Sequence, residues 1–278
     1  LPTPHDDAIH EIVESVLASR KYQTVAPDLI RAIAANELAK GRSRKDAVKA
    51  TKNQLHQSAA AYQTGRMDYD AWLADLRRSG DLQSAPFRTQ LRTILAHHAS
   101  TAERLPILDD FYRSIFAELP PLNSILDIAC GLNPLTIPWM NLPTHSFYYA
   151  CDIYGDQICF LNDFFGLIGI QGQAEVRNVI TQPPGQRVDL ALVLKTIPCL
   201  EQVDRSAGVH LLNALNARYL LVSFPVRSLG GRAKGMAATY EAHFESLAAG
   251  RDWSIKRFEF DGELAFLVTT GSGAVNDG

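Results

Sequence analysis

The stretch Ser124-Ile-Leu-Asp-Ile-Ala-Cys-Gly-Leu-Asn-Pro134 decides the fold. Ile125, Leu126 and Ile128 make a short apolar run of the length of a buried strand. The run ends in a small residue, a cysteine and a glycine, and Pro134 follows where a helix can start. Strand, tight turn and helix N-terminus form the unit that holds nucleotide-like ligands at the carboxyl edge of an α/β sheet. Gly131 lets the backbone approach such a ligand with no Cβ in the way. Asp127 is expected at the mouth of the site.

A second signal lies downstream. Ser146-Phe-Tyr-Tyr-Ala-Cys-Asp152 reads as a strand closed by a carboxylate. An acidic residue roughly 20 positions after the glycine turn can accept hydrogen bonds from both ribose hydroxyls of an adenosine. The turn itself is not G-x-G-x-x-G and offers no cradle for a pyrophosphate. That argues against NAD or FAD and for S-adenosylmethionine (SAM), which carries a ribose and no phosphate.

Outward from this pair, strand and helix signals alternate. Strands are expected at 124–129, 146–151, 174–179, 188–194, 218–224, 255–260 and 264–269, and helices near 134–140, 155–168, 201–215 and 236–249. Such alternation implies a mostly parallel, doubly wound sheet. The last two strands are joined by Asp261-Gly262, a strong hairpin signal. A seven-stranded Rossmann-like sheet with a terminal β-hairpin is the plan of the class I SAM-dependent methyltransferases.

The first third is different. Ile9, Ile12, Val13, Val16 and Leu17 recur at helical spacing, and Pro27 fits the first turn of a second helix. Ser43 is placed to cap a third helix through Tyr62. Met67–Arg78, Pro86–His98 and Leu105–Leu119 continue the pattern, with no strand-like alternation. Three divisions are therefore expected: an all-helical domain over 1–105, a methyltransferase domain over 106–270, and a disordered polar tail over 271–278.

Charge follows the same division. The chain has 278 residues and a net charge of −3. Residues 1–105 carry 15 Lys+Arg against 12 Asp+Glu, whereas the remainder carries 12 against 18. Between Arg20 and Lys52 the count is 9 to 3. A basic patch on an acidic chain suits docking of one face on a polyanion, against the alternative of a solvated helix surface. Cys130, Cys151, Cys159 and Cys199 show no C-x-x-C spacing, so no metal site is expected. No apolar run is long enough to span a membrane, and the first residues lack the regions of a signal peptide. A reduced, cytoplasmic, monomeric protein is the expectation.

Chemistry is expected beyond the carboxyl ends of the strands. Asp189-Leu-Ala-Leu-Val-Leu-Lys195 ends in Thr-Ile-Pro-Cys199. Lys195 is either at the strand mouth, the favoured reading, or a costly buried charge. Pro198-Cys199 invites comparison with the nucleophile of cytosine C5 methyltransferases, although no partner motif supports it and a small apolar cysteine at a helix start is the plainer reading. After the fifth strand comes Ser223-Phe-Pro-Val-Arg-Ser-Leu-Gly-Gly-Arg-Ala-Lys-Gly-Met236. It sets Arg227, Arg232 and Lys234 among glycines with no acidic residue. A flexible cationic loop at the active edge of the sheet is a clamp for a phosphate backbone.

That last segment closely resembles the 16S ribosomal RNA methyltransferases that confer aminoglycoside resistance by acting on N7 of guanine 1405 in the decoding site. Other segments agree. His97-His-Ala-Ser-Thr-Ala-Glu-Arg104 resembles the family's His-x-x-Ser-Thr-x-Glu-Arg stretch, and Asp127-Ile-Ala-Cys-Gly-Leu-Asn-Pro134 its SAM loop. Cys151-Asp-Ile153, Leu194-Lys195 with Pro198, Leu55-His56 with Ala61-Tyr62, and Arg20-Lys-Tyr22 with Pro27 and Arg31 also match. The similarity runs from about residue 12 to 269.

The resemblance implies a helical domain that docks on the small (30S) subunit, with Lys21, Lys49, Lys52, Arg227, Arg232 and Lys234 as RNA contacts. It places Arg104, Asp127, Gly131, Asp152, Ile153, Asn178, Val179 and Lys195 around SAM, whose product is S-adenosylhomocysteine (SAH). Asn178 departs from the Asp expected in relatives. Arg232 and Met236 are the positioning candidates, and no acid/base pair is expected. Two further readings compete: another rRNA methyltransferase, such as a C5-cytosine enzyme using Cys199, and a non-catalytic ribosome-binding protein that kept the fold.

Overall fold

The computed structural model describes residues 4–58, 60–82, 84–226 and 235–271. Seven strands form one sheet: β1 (Ser124–Ile128), β2 (Phe147–Asp152), β3 (Gln171–Val176), β4 (Arg187–Leu194), β5 (Asn216–Pro225), β6 (Trp253–Phe260) and β7 (Glu263–Thr270). Their order is β3-β2-β1-β4-β5-β7-β6. β1 to β5 run parallel, and β7 is antiparallel to both β5 and β6. The topology reverses between β1 and β4, and a crevice opens at that point, beyond the carboxyl ends of the strands.

The sequence explains the layout. Leu190, Ala191, Leu192 and Val193 are fully buried, as a central parallel strand covered on both faces requires. On β1, Ile125 joins one core, while Leu126 and Ile128 join the core on the other face. The hairpin turns at Gly262, whose φ of +89° suits glycine.

The helices beside the sheet are α8 (Gly155–Ile168), α9 (Ile197–Glu201), α10 (Ala207–Ala214) and α11 (Met236–Ala248). One helix was expected over 201–215; two short ones stand there. Pro198 starts α9 early, and Asp204 then folds back on Ser206, accepting from its N–H at 2.9 Å, which separates the two. The expected helix at 134–140 is a 3-10 helix over Asn133–Trp139, with Pro138 inside it.

Among the described residues, seven α-helices precede the sheet: α1 (Pro4–Leu17), α2 (Pro27–Ala39), α3 (Arg44–Ser58), α4 (Tyr69–Arg78), α5 (Ala85–Leu95), α6 (Ala99–Arg104) and α7 (Leu108–Phe116). Pro27 opens α2, and Ser43 accepts from the backbone N–H of Asp46 at 3.2 Å ahead of α3. Helix α6 was not anticipated.

Apolar packing sorts these helices. α1, α2 and α3 share a core built on Ile12, Val16, Ile30 and Ile33. α4, α5 and α7 contribute Leu76, Phe87, Leu91, Phe111 and Ile115 to the core against one face of the sheet. The first core reaches the sheet at Tyr154, just after β2. There Ala26 N–H bonds Ile153 O and Gly155 N–H bonds Thr24 O, both at 2.8 Å. The polar tail beyond Gly271 lies outside the described residues. No helix among the described residues is long and apolar enough to cross a membrane.

Candidate active site

The carboxyl ends of β1, β2 and β4 meet α2, α6 and the segment around Tyr62 in a cleft of about 940 Å³, part of it open to solvent. The turn after β1 is unusual: Ala129 and Gly131 have φ of +49° and +52°. Gly131 N–H bonds Asp152 Oδ2 at 2.8 Å, and Ile153 N–H bonds Oδ1 at 2.7 Å. The two signals read from the sequence are thus in direct contact. The Gln157 side chain and the Tyr154 N–H also approach this carboxylate, which lines the cleft and can accept from hydroxyl donors there. Burial pushes its carboxyl above the ordinary value, and the backbone N–H groups oppose that shift.

Gly131 is glycine for a further reason. A Cβ there would lie 2.8 Å from the His98 ring, so that space belongs to a side chain of the protein. The sequence offered only ligand approach as the explanation.

Asp127 is 1% exposed and not at an open mouth. Its Oδ2 accepts from Asn133 Nδ2 at 2.9 Å and Tyr148 OH at 2.8 Å. Burial pushes its carboxyl up to about 7 against the pull of these donors and of Arg104. Arg104 is also buried. Its Nη1 donates to Asn133 Oδ1 at 2.9 Å, and its Nε and Nη2 grip Glu263. Lys195 ends β4 with φ of +57° and is 5% exposed. Both readings of this residue hold: it stands at the strand end and lines the cleft, yet it is buried. Its Nζ lies 2.8 Å from Glu103 and 3.3 Å from Glu263, so the charge is paired.

Glu263 was missed. It opens β7 and binds Arg104 and Lys195. Burial raises its carboxyl, but Arg104 and Lys195 outweigh that and hold it below the usual range. His98 was missed as well.

The opposite end of the cleft is apolar. Leu29, Ile153, Val179, Ile180 and Leu200 line it beside Asn178. Asn178 Oδ1 accepts Ile180 N–H at 3.1 Å, while its buried Nδ2 has no partner. An apolar slot with one orphaned donor fits a planar heterocycle with ring acceptors. With Asp152 between this slot and the cations, the residues present fit the nucleoside and amino-acid parts of SAM.

Cys199 lines the cleft near Tyr62, and its thiol donates to Lys195 O at 3.4 Å. Burial raises the thiol's pKa, against a hydrogen bond from Tyr62. A nucleophilic cysteine needs the opposite shift. Met236 opens α11, half-buried, and one turn later Tyr240 stacks on Phe224 at 5.1 Å. Arg227, Arg232 and Lys234 lie outside the described residues.

The structure gathers two of the three N-terminal lysines. Lys21 Nζ is 3.0 Å from His56 Nδ1, and Lys52 Nζ donates to Ser19 at 2.6 Å. Lys49 is exposed on the same helix as Lys52. No group of acidic, His and Cys side chains among the described residues could hold a metal ion.

Comparison with known proteins agrees with this geometry. A family model described as ribosomal RNA methyltransferase (FmrO) matches residues 18–267. The 16S rRNA (guanine(1405)-N(7))-methyltransferase of Frankia casuarinae is 38% identical over 267 residues, covering 95% of this chain and 94% of that one. The protein of the same name from Micromonospora echinospora is 37% identical over 266 residues, covering 95% and 97%. Among solved structures, the 16S rRNA methyltransferase RmtF in complex with SAH superposes with a TM-score of 0.82 at 30% identity, covering 95% of this chain and 99% of that one. With the model match spanning most of the chain, from before α2 to within β7, this protein belongs to the ribosomal RNA methyltransferase (FmrO) family.

Proposed function

We propose that this protein methylates N7 of guanine 1405 in 16S rRNA of the assembled 30S subunit, using SAM, and so confers aminoglycoside resistance. The observation that carries the reading is one cleft holding the Gly131 turn, the Asp152 carboxylate and the orphaned Asn178 amide at the switch point of the sheet. The relatives from Frankia casuarinae and Micromonospora echinospora are named for this nucleotide.

Asp152 would hold the ribose, with Ile153 and Val179 packing on the adenine and Asn178 donating to a ring nitrogen. Arg104, Lys195, Gly131 and Asp127 would surround the amino-acid end. Bound there, SAM supplies an electrophilic methyl group on a sulfonium.

The protein's task is then alignment. Guanine N7 has an in-plane lone pair and no proton to lose, so no general base is needed. Positioning of two reactants can supply ~7–11 kcal/mol in well-oriented systems. The buried groups of the cleft suit this role, since Asp127, Glu263, Arg104 and Lys195 bind one another directly or through Asn133. They hold one another in place and are not free acids or bases.

Docking falls to residues 1–105 as a unit, with Lys21, Lys49 and Lys52 facing phosphate. Arg227, Arg232 and Lys234 serve as contacts to the RNA, with Met236 as a positioning residue for the displaced base. Unstacking a base costs a few kcal/mol, which these contacts offset. The substrate is the assembled subunit, because a helical docking surface of this size exceeds a short RNA hairpin, and the protein acts on it as a cytoplasmic monomer.

The test is to incubate the protein with SAM and either 30S subunits or free 16S rRNA. Borohydride and aniline cleavage followed by reverse transcription locates 7-methylguanosine. A stop at guanine 1405 in subunits alone is expected. No stop, or a stop elsewhere, overturns the reading.

A further inference from the structure

Met236 opens α11, and Tyr240 and His243 follow it at steps of four and three residues. Those steps put all three side chains on one face of the helix. That face is turned to the cleft. Tyr240 stacks on Phe224, near the carboxyl end of β5, with centroids 5.1 Å apart and planes 22° apart. Burial and then the fields of Cys199 and Glu201 push its hydroxyl above the ordinary value. Both of those residues belong to α9, whose Cys199 and Leu200 line the cleft.

His243 makes the polar tie on this face. Its Nε2 lies 3.0 and 2.9 Å from the two carboxylate oxygens of Glu201, so an N–H there donates between them. The chain leaves room for that carboxylate. Gly208 stands within α10, and a Cβ on it would lie 2.6 Å from Glu201 Oε1 and 3.0 Å from Ile197. Glycine weakens a helix, and the packed carboxylate explains its place there. α9, α10 and α11 thus converge on Glu201. Glu241, about 200° around α11 from His243, is tied the other way, to Arg257 Nε of β6 at 2.7 Å. With a polar tie on each side, the rotation of α11 about its own axis is set.

We propose that His243 is a positioning residue for methyl transfer: by donating to Glu201 it sets the rotation of α11 and so aims Met236 at the displaced base. It acts through Met236 and not by contact with the substrate. This rests on the reading of Met236 given under the proposed function. Misplacement on the order of 1 Å near a reacting centre can cost up to about a hundredfold in rate, so loss of one tie registers in turnover.

Steady-state methylation of 30S subunits, resolved into kcat and the KM for subunits, tests it. His243→Ala should lower kcat about tenfold while KM stays within about twofold. SAH affinity by calorimetry should be unchanged. His243→Gln, which returns an N–H donor to Glu201, should recover most of kcat. Met236→Ala combined with His243→Ala should lower kcat no further than the worse of the two single variants, because both act through one side chain. An unchanged kcat in His243→Ala overturns the proposal. So does a combined loss equal to the product of the two single losses. A fall in SAH affinity, or no recovery in His243→Gln, also overturns it and makes the pair a general support of the fold. The unaltered protein is the control: if it leaves subunits unmethylated, the functional reading itself fails, and this proposal with it.

Discussion

Glu263 accepts hydrogen bonds from Nε and Nη2 of Arg104 at 2.6 to 3.2 Å, and both side chains are 1% exposed. The pair ties the last strand to α6 across 159 residues of chain. Removing one partner of a buried ion pair strands the other charge and costs about 3–5 kcal/mol. Glu263→Gln keeps an acceptor for Arg104 but leaves two cations without their shared anion. Its melting temperature should fall by roughly 10 °C. An unchanged melting curve would mean that the pair holds nothing together.

Asp152 already accepts from the Gly131 and Ile153 N–H groups before any ligand arrives. Asp152→Ala should weaken SAH binding roughly ten- to a hundredfold by removing a charged acceptor. It should also lower stability by about 1–3 kcal/mol, because Gly131 N–H loses its bond in a buried turn. Calorimetry reads the first effect and denaturant titration the second. A normal dissociation constant would reject Asp152 as the ribose ligand.

Asp127 makes a pH prediction. Its folded pKa, about 7, lies above the unfolded value of about 3.9. Between those values the folded protein holds a proton that the unfolded chain has lost. Stability contributed by this residue should therefore decline as pH rises from about 4 to about 7, then level off. Asp127→Asn removes the titration. Its stability relative to the unaltered protein should climb through that window, by a total on the order of 4 kcal/mol. A difference that stays flat from pH 4 to 8 would show that Asp127 is ionised throughout.

Lys21 and Lys52 sit where α1 runs into α2 and on α3, held by His56 and Ser19, with Lys21 also 5.9 Å from the Tyr22 ring centre. Reversing both to Glu should lower 30S affinity and flatten its dependence on salt, since two fewer counterions are released. SAH affinity should not move. Equal subunit binding across a salt series would show that these helices are merely solvated.

How far these features were legible depends on what carries them. All seven strands were legible because apolar runs with turn residues between them have few alternatives, as in Leu190–Val193 and the Asp261-Gly262 turn. Strand ends shifted where the pattern is weak: β3, Gln171–Val176, is polar and starts three residues earlier than expected. Asp152 and Gly131 were legible as a spacing, and the structure joins them by a hydrogen bond. Glu263 was not, because an acidic residue beside a hairpin reads as solvated; only its place at the head of the apolar run 264–268 hinted otherwise. His98 was hidden in the His97-His98 doublet, where no period says which ring turns inward. Helix α6 escaped because its six residues, Ala99–Arg104, carry no apolar stripe, and Arg104 is held by polar partners.

Cys199 separates two chemistries on one scaffold. A C5-cytosine enzyme needs a thiolate that adds to the base and is later expelled, so the thiol must ionise easily and reach solvent or substrate. Here the thiol donates to Lys195 O at 3.4 Å, and burial raises its pKa. Lys195 does not activate it, because the ammonium is directed to Glu103 and Glu263. Cys199→Ala therefore removes a small packing group at the start of α9 and nothing chemical. Methyl incorporation into 30S subunits should stay within about threefold of the unaltered protein, the scale of a loss under 1 kcal/mol. Melting should fall by a few degrees, as for other small truncations of half-buried groups. Complete loss of methylation with the fold intact would reverse the assignment and make Cys199 the nucleophile.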